Sequence, residues 1–362
     1  MPNEKSAPLV ADELLHGIVA EVMNITEVRP ATERNGDGRR FLGHLTREPQ
    51  AAYAYLAQQF RFLDYTPLLQ QEGREVAVLA LPGQIGASKS RLWVALLLFA
   101  LTLASTTFVG GFTEQGFNLG LGFAFSTALL SILLAHELGH FLMARHLGVE
   151  VSYPFFIPLP ISPIGTMGAF IALKSPPPNR QALLAIALTG PLAGLALALP
   201  ILVGGLLLSP VQKFEPPFLR EGNSLLYLLL KWAIFGRLLP NAGLDVNLHP
   251  VAFAGWVGLL VTGLNLIPAG QLDGGHIFFA LVGPRIARFM TWSLAAILFA
   301  LGFFWNGWFV WALLLLAFGQ QRVPLLNELP PLKRGQKVLA VLGLILFVLL
   351  FTPTPLKFVQ AS

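Results

Sequence analysis

The sequence contains no cysteine and little charge, and both absences restrict what the protein can be. Without cysteine there is no disulfide bond, and a metal site must use histidine, aspartate or glutamate ligands. Only 12% of the 362 residues are charged, against about a quarter in a typical soluble domain. In contrast, 54% are hydrophobic and the mean hydropathy is +0.65. These values exclude an ordinary cytosolic enzyme and a disordered chain, and they predict a polytopic membrane protein.

The few charges are unevenly distributed, and roughly half of them lie in the first ninety residues. The net charge is +5, but no run of basic residues is present. We therefore expect no nucleic-acid partner. The uneven distribution predicts a soluble N-terminal domain, residues 1–88, followed by a membrane-embedded remainder that contacts the lipid bilayer.

The N-terminal domain is predicted to be a small α+β unit. Amphipathic periodicity predicts helices, whereas alternation of apolar and polar residues predicts strands. The predicted helices are Asp12 to Val28 and Glu48 to Leu63, and the predicted strands are Arg39 to Leu45, Pro67 to Gln71 and Glu75 to Leu81, with the domain closed by the segment from Pro82 to Gly86. No catalytic constellation is present in this part, so a regulatory role is expected, with a passive solubilising role as the alternative.

From Leu92 onward, apolar runs follow one another at the length of membrane spans, which need about 20 residues each. The fold class predicted is an all-α polytopic membrane protein with six to eight transmembrane helices. We place helices near residues 92–110, 118–146, 181–208, 250–268, 288–304, 307–320 and 337–352, with an interfacial or re-entrant stretch from Ser224 to Leu239 that Lys231 and Arg237 interrupt. Residues 89–285 form the predicted catalytic core, and residues 286–362 add C-terminal helices.

Basic residues flank the predicted spans on one side. The only charged residue in the short loop after the first span is Glu114. The basic residues on the other side are Lys89, Arg91, Arg145, Lys174, Arg180, Arg285, Arg288, Arg322, Lys333, Arg334 and Lys337. Under the positive-inside rule this basic side is cytoplasmic, or its equivalent in an internal membrane. The N-terminal domain is therefore expected on the cytoplasmic side.

The second predicted span contains the motif His136-Glu137-Leu-Gly-His140. Helix positions i and i+4 lie on one face, so His136 and His140 can reach one metal ion, and Glu137 can accept a proton from water at that ion. The alternative is two histidines satisfied by neighbouring groups and a glutamate paired with a cation. Ionisable groups within an apolar helix are costly in lipid, which favours the metal site.

A catalytic zinc ion needs a third protein ligand. Asp273 is the candidate, because it follows the fourth predicted span at the end that lies on the same side as His136 and His140. Asp245 precedes that span, on the opposite side. Pro268, Gly270, Gly274 and Gly275 break the helix near Asp273, and irregular backbone at membrane depth is tolerated where it lines a cavity. A simple loop turn is the alternative.

Together these motifs resemble the site-2 proteases, which are zinc metalloproteases of regulated intramembrane proteolysis. His-Glu-x-x-His in one membrane helix is followed by Asn265-x-x-Pro-x-x-x-x-Asp273-Gly at the end of another. The segment from Gly165 to Ile171 resembles that family's membrane-associated β-hairpin, and Gly190-Pro-Leu-Ala-Gly resembles the helix that follows it. The N-terminal domain, with its pattern Arg47-Glu-Pro, Tyr65-Thr-Pro-Leu-Leu and Leu81-Pro-Gly, resembles that of the cyanobacterial and plastid branch, the ethylene-dependent gravitropism-deficient and yellow-green proteins.

The resemblance implies one zinc ion per chain, with His136, His140 and Asp273 as ligands, Glu137 as the catalytic residue and Asn265 near the scissile carbonyl. It also implies a transmembrane protein as substrate and a plasma (inner) or thylakoid membrane as the location. The oligomeric state stays open. The rival functions are a transporter or metal permease that uses the same residues as a relay, and an inactive membrane scaffold. The absence of an internal repeat disfavours the transporter.

A substrate helix must unwind locally before its peptide bond can be attacked, so its backbone needs a new partner. The segment from Val149 to Lys174 is rich in proline and glycine and cannot be a spanning helix. Its apolar stretch from Ala169 to Leu173 can offer a strand edge to the substrate. The predicted substrate-binding residues are Gly165, Gly168, Ala169, Phe170 and Ile171, and the alternative is a hairpin that pairs only with itself.

Overall fold

The computed structural model describes residues 7–31, 38–83, 90–113, 116–214, 218–241, 243–319 and 323–359. Within these ranges the chain is mostly helical with several small antiparallel sheets. The N-terminal part and the apolar helices each surround a separate buried core. The predicted closing segment from Gln84 to Gly86, and Lys89, Glu114 and Arg322, lie outside the described residues.

The N-terminal part combines two helices with one antiparallel sheet whose strand order is β1-β2-β4-β3. In the second helix Ala52, Leu56 and Phe60 are buried at intervals of four residues, so a single apolar face packs on the sheet. Its elements are α1 (Ala7–Ala20), β1 (Met23–Pro30), β2 (Arg39–Leu45), α2 (Pro49–Phe62), β3 (Tyr65–Glu72) and β4 (Glu75–Pro82). The strands β1 and β3 are the two edges of this sheet.

The prediction of one helix from Asp12 to Val28 is wrong beyond Ala20, because residues 23–30 form β1 and pair with β2. The strand contains the β-branched residues Ile25, Thr26 and Val28, which favour extended backbone. Only its first residue, Met23, is buried, so the strand lacks the apolar alternation by which an edge strand is recognised. Pairing with β2, which sequence periodicity does not report, decides the conformation.

The remainder of the chain consists mainly of helices, with short strands in some of the connections between them. The elements are α3 (Leu92–Gly110), β5 (Phe112–Thr113), β6 (Gly116–Phe117), α4 (Leu119–His146), β7 (Phe155–Pro158), β8 (Thr166–Phe170), α5 (Arg180–Leu207), β9 (Val211–Lys213), β10 (Phe218–Glu221), α6 (Leu225–Phe235), β11 (Leu244–Val246), α7 (Pro250–Asn265), α8 (Asp273–Val282), α9 (Pro284–Leu301), α10 (Gly307–Phe318), α11 (Arg334–Leu350) and β12 (Leu356–Val359).

Four helices within the described residues are long and apolar enough to cross a membrane: α3, α4, α5 and α9. The helices α6, α7, α8 and α10 are apolar but shorter. Some of the segments predicted as membrane spans therefore form helices too short to cross a bilayer on their own. The predicted span 250–268 ends as α7 at Asn265, and a separate ten-residue helix, α8, begins at Asp273. No helix is predicted at α8, because Pro268, Gly270, Gly274 and Gly275 indicate irregular backbone there.

Close approach of backbones holds the centre of the bundle together. A side chain at Gly205 would lie 2.2 Å from the backbone of Ala252, and one at Gly255 would lie 2.6 Å from that of Leu202. The helices α5 and α7 therefore touch through glycines, as is common in membrane bundles. Large apolar side chains such as Trp256 fill the remaining space.

The predicted hairpin is present: β7 and β8 pair antiparallel, with Phe155 opposite Phe170 and Phe156 opposite Ala169. Its tip is fixed to α3, since the Ser105 hydroxyl donates a 2.6 Å hydrogen bond to the Gly165 carbonyl. Gly165 has φ +75°, and a side chain there would lie 2.7 Å from the backbone of Thr106. Only glycine permits this contact.

Candidate metal centre

The helix α4 carries the first two predicted ligands on one face. His136 and His140 are one turn apart and buried, as the i, i+4 spacing requires. The side chain of Asn118 accepts a hydrogen bond from the Leu121 amide and caps the helix at its far end. Both histidines thus stand on a continuous helix, deep inside the bundle.

The third predicted ligand, Asp273, is the first residue of α8, and tight turns bring it to α4. Added side chains at Gly274 and Gly275 would lie 1.9 Å from the Leu266 carbonyl oxygen and 2.5 Å from that of Ala269. The chain therefore folds back on itself here in a way that only glycine allows. The Gly270 amide donates to the Thr291 hydroxyl at 3.1 Å, which ties the turn to α9.

The three ligand atoms form a nearly equilateral triangle. Asp273 Oδ2 lies 3.3 Å from His136 Nε2 and 3.3 Å from His140 Nε2, and the two Nε2 atoms lie 3.2 Å apart. Zinc holds ligands at about 2.0–2.1 Å in a tetrahedron, which separates neighbouring ligand atoms by about 3.3 Å. Asp273 Oδ2 is also buried without a hydrogen-bond partner among the described residues. The arrangement therefore fits a zinc ion.

An outer contact orients the His140 ring, and Asn265 lies beside the ligand atom of His136. The Nδ1 atom of His140 lies 2.7 Å from the Ile186 carbonyl, so it carries the proton and leaves the Nε2 lone pair for a metal. The side-chain Nδ2 of Asn265 lies 3.3 Å from His136 Nε2. Among the residues that the structure describes, this is the one group of three histidine or acidic side chains with ligand atoms this close together.

A cavity of about 250 Å³ opens beside the triangle. Glu137 is buried in its wall, and the backbone amide of Ile171 interacts with the Glu137 carboxylate. Ala169 and Phe170 of the hairpin and Asn265 at the end of α7 also line the cavity. A carboxylate, a strand edge and three ligand atoms thus surround one space.

Two of the predicted substrate-binding residues do not line this cavity. Gly165 lies at the hairpin tip against α3, and Gly168 is buried within β8, where its amide hydrogen bonds to the Thr166 hydroxyl at 2.9 Å. Sequence reasoning missed Ile186, whose carbonyl no side-chain motif marks, and Gln271, which lines the cavity. His276 also lines it, as its position three residues after Asp273 suggests.

Small residues of α5 allow that helix to pass directly beside the triangle. A side chain at Gly190 would lie 2.0 Å from His140 Nε2, and one at Gly194 would lie 3.1 Å from His136 Cβ. The helix α4 also has a glycine at this contact: a side chain at Gly139 would lie 2.4 Å from the Thr189 carbonyl oxygen of α5. The glycines in the segment Gly190-Pro-Leu-Ala-Gly therefore have a physical role, which is to leave room for both histidines.

The sequence matches the peptidase family M50 over residues 124–306, just over half of the chain. It is 36% identical over 251 residues to the probable zinc metalloprotease EGY2, chloroplastic, of Arabidopsis thaliana, covering 66% of this chain and 43% of that protein. It is 32% identical over 290 residues to the probable zinc metalloprotease EGY1, chloroplastic, of Oryza sativa subsp. japonica, covering 67% and 49%. The chain thus spans less than half the length of these curated relatives. No solved structure matches it.

The matched range contains His136, Glu137, His140 and Asp273 together with the helices that bring them into one cavity. The resemblance to the site-2 proteases, which rested on these motifs, is confirmed by this match. The chain is a membrane protein that belongs to peptidase family M50.

Proposed function

We propose that the protein is an intramembrane zinc metalloprotease that cleaves a transmembrane or membrane-proximal segment of another membrane protein. The observation that carries this proposal is the triangle of ligand atoms with 3.2–3.3 Å edges, buried among apolar helices beside the carboxylate of Glu137. The relatives named as probable zinc metalloproteases support it.

The proposed metal site holds one zinc ion per chain between His136, His140 and Asp273. A zinc ion in such a site polarises a carbonyl group and lowers the pKa of water towards about 7. Around it, the Ile186 carbonyl fixes the His140 ring, and Asn265 stands beside His136, near the position of the scissile carbonyl.

Glu137 is the proposed general base and acid. Its carboxylate takes a proton from the attacking water and then returns it to the nitrogen of the departing amine. The interaction with the Ile171 amide holds this carboxylate toward the cavity. Hydrolysis therefore needs no covalent bond between substrate and protein.

The substrate is proposed to add as a strand to the hairpin. One edge of β8 pairs with β7, and within the described residues no strand pairs with its other edge. Ala169, Phe170 and Ile171 lie at the wall of the cavity, so an unwound segment on this edge reaches the metal triangle. Backbone pairing of this kind accepts varied side chains.

For the remaining organisation we propose residues 1–88 as a regulatory domain on the cytoplasmic side, 89–285 as the catalytic core and 286–362 as additional membrane helices. Beyond the four long helices, six to eight crossings require two to four further helices to cross or enter the bilayer, drawn from α6, α7, α8, α10 and α11. The chloroplastic relatives favour a plastid or thylakoid membrane over a plasma membrane.

The test separates metal binding from chemistry. Glu137→Gln removes the base but no ligand, so we expect wild-type zinc content and no cleavage of a panel of single-span membrane proteins. The His136→Ala, His140→Ala double variant should lose both zinc and cleavage. Glu150→Gln, an exposed glutamate beyond the end of α4, is the matched control and should behave as wild type. Turnover by Glu137→Gln within a few-fold of wild type would refute the assigned base, and full zinc occupancy in the double variant would refute the site.

A further inference from the structure

The segment between α10 and α11 contains a short extended stretch, residues 325–329, which we call the strap. Along one edge it pairs with Leu69 of β3, the edge strand of the N-terminal sheet. The Leu69 amide donates to the Leu326 carbonyl, and the Glu328 amide donates to the Leu69 carbonyl, both at 2.9 Å. The strap therefore extends the N-terminal sheet by one short parallel pairing.

Along its other edge the strap pairs with the residues just before α5. The amides of Leu326 and Asn327 donate to the carbonyls of Pro177 and Pro178, at 3.0 Å and 2.9 Å. Proline has no amide hydrogen, so these two residues can only accept backbone hydrogen bonds. The strap supplies the donors that this stretch needs.

Asn327 is the centre of the strap and is buried. Its Nδ2 donates to the Pro49 carbonyl at 3.0 Å, and its Oδ1 accepts from the Leu329 amide at 3.2 Å. Leu329 packs against the N-terminal core, whereas Leu332 belongs to the core of the membrane helices. The same few residues therefore join both cores.

Two short connections link the strap to the candidate metal centre. Leu173, four residues before Pro177, lines the cavity and forms a bridge with Val151 at the base of the hairpin. Glu328 pairs with Arg180 at 3.3 Å, and the Arg180 guanidinium lies 5.9 Å from the ring centroid of Phe279 in α8. The strap thus bonds to residues that lie a short way along the chain from the hairpin edge, and it contacts α5, which packs on the helix that begins at Asp273.

We propose that the strap positions the returning side of the hairpin, residues 166–179, for substrate binding and ties it to the N-terminal sheet, with Asn327 as the central positioning residue. This inference rests on the proposed function, because it assigns the hairpin edge to substrate. A strand can add to an edge only if the edge is held in place with its backbone groups aligned. The tip is held by Ser105, and the strap holds Pro177 and Pro178, which lead from the base of the hairpin to α5.

The test uses the full-length chain loaded with Zn²⁺ and two variants of the positioning residue. Asn327→Asp keeps the acceptor for the Leu329 amide but cannot donate to Pro49, and Asn327→Ala loses both hydrogen bonds. We expect amide hydrogen exchange within residues 166–174 to accelerate about three- to tenfold in Asn327→Asp, the effect of losing one net hydrogen bond, and further in Asn327→Ala. KM for a cleaved single-span substrate should rise by a similar factor, while kcat and zinc content stay at wild-type values.

The matched control is Gln181→Ala. The Gln181 side chain donates to the Pro331 carbonyl at 3.2 Å, so this variant removes a neighbouring contact outside the strap, and exchange in the hairpin should not change. Unchanged hairpin exchange in both Asn327 variants would overturn the proposal. So would faster exchange across α4 and α5 with loss of zinc, which indicates general destabilisation. The exchange measurement needs no cleavage, so a wild-type protein that cleaves nothing refutes the proposed function and leaves this test valid.

Discussion

Among the residues that the structure describes, the helical part of this protein buries two clusters of ionisable side chains, and they differ in what they contain. In one, His136, His140 and Asp273 bring three ligand atoms to within 3.2–3.3 Å of each other. In the other, Lys231 Nζ lies 3.8 Å from Glu221 Oε1 and 3.6 Å from Asp245 Oδ1. The second cluster includes its own cation, whereas the first consists of electron-pair donors that need one.

The difference shows which feature identifies a metal site in an apolar bundle. Burial does not, because Lys231 is fully buried. Cavity size does not either, because Glu221 and Asp245 line a cavity of about 320 Å³, larger than the 250 Å³ beside the metal triangle. The donor set does, since three acceptor atoms without a cation are stable in a low-dielectric site only when a metal ion binds them.

The largest expected effect comes from breaking the metal triangle without touching a ligand. Gly190→Ala places a methyl group 2.0 Å from the present position of His140 Nε2, so the ring must move and its metal contact is lost. We expect metal analysis of the purified variant to find little or no zinc. Gly204→Ala on the same helix, where nothing lies within 4 Å, is the control and should keep one zinc per chain. Full zinc content in Gly190→Ala would contradict the geometry of α4 against α5.

Breaking the second cluster should affect stability and not the metal. Lys231→Met leaves two buried carboxylates without their cation, which costs about 3–5 kcal/mol in comparable cases. We expect the free energy of unfolding in detergent to fall by that amount, with zinc content unchanged in the folded fraction. Lys213→Met, at an exposed lysine, should have little effect. Adding Glu221→Gln and Asp245→Asn to the Lys231 variant should restore part of the stability, and failure to do so would show that the charges are not the cause.

The two clusters also differ in how far sequence could reveal them. His136 and His140 are neighbours on one helix, and the resemblance to the site-2 proteases adds Asp273, so the meeting of these three side chains was predictable. The partners of Lys231 were not, because Glu221 and Asp245 lie on the separate short strands β10 and β11. The contacts of Lys231 with these strands depend on tertiary packing, which the periodicity of the local sequence does not reveal.

Other elements of the fold also differ in whether the local sequence reveals them. The long apolar helices were predictable from hydropathy and the hairpin from the resemblance to the site-2 proteases, and the structure contains both. The strand β1 and the helix α8 were missed, because edge pairing forms the first and a glycine-rich turn conceals the second. The Ile186 carbonyl was missed as well, since any residue type supplies a backbone oxygen and only its proximity to His140 gives it a role.

The smallest expected effect comes from changing the hairpin edge. This edge lies beside the metal cluster and not beside the cluster around Lys231. Proline at Ala169, Phe170 or Ile171 removes one backbone donor each. The Ile171 amide interacts with Glu137, so Ile171→Pro disturbs the base itself, and Ala169→Pro and Phe170→Pro are the variants that examine the edge. One strand partner, β7, already pairs with these residues, so one of the two amides points to the free edge. We expect cleavage to fall several-fold in at least one of these two variants, by the loss of about one hydrogen bond, with zinc content at the wild-type value.

Proline at Ile161, an exposed residue near the hairpin tip, is the control. If Ala169→Pro and Phe170→Pro both cleave at the wild-type rate, strand addition is wrong and side chains alone must hold the substrate.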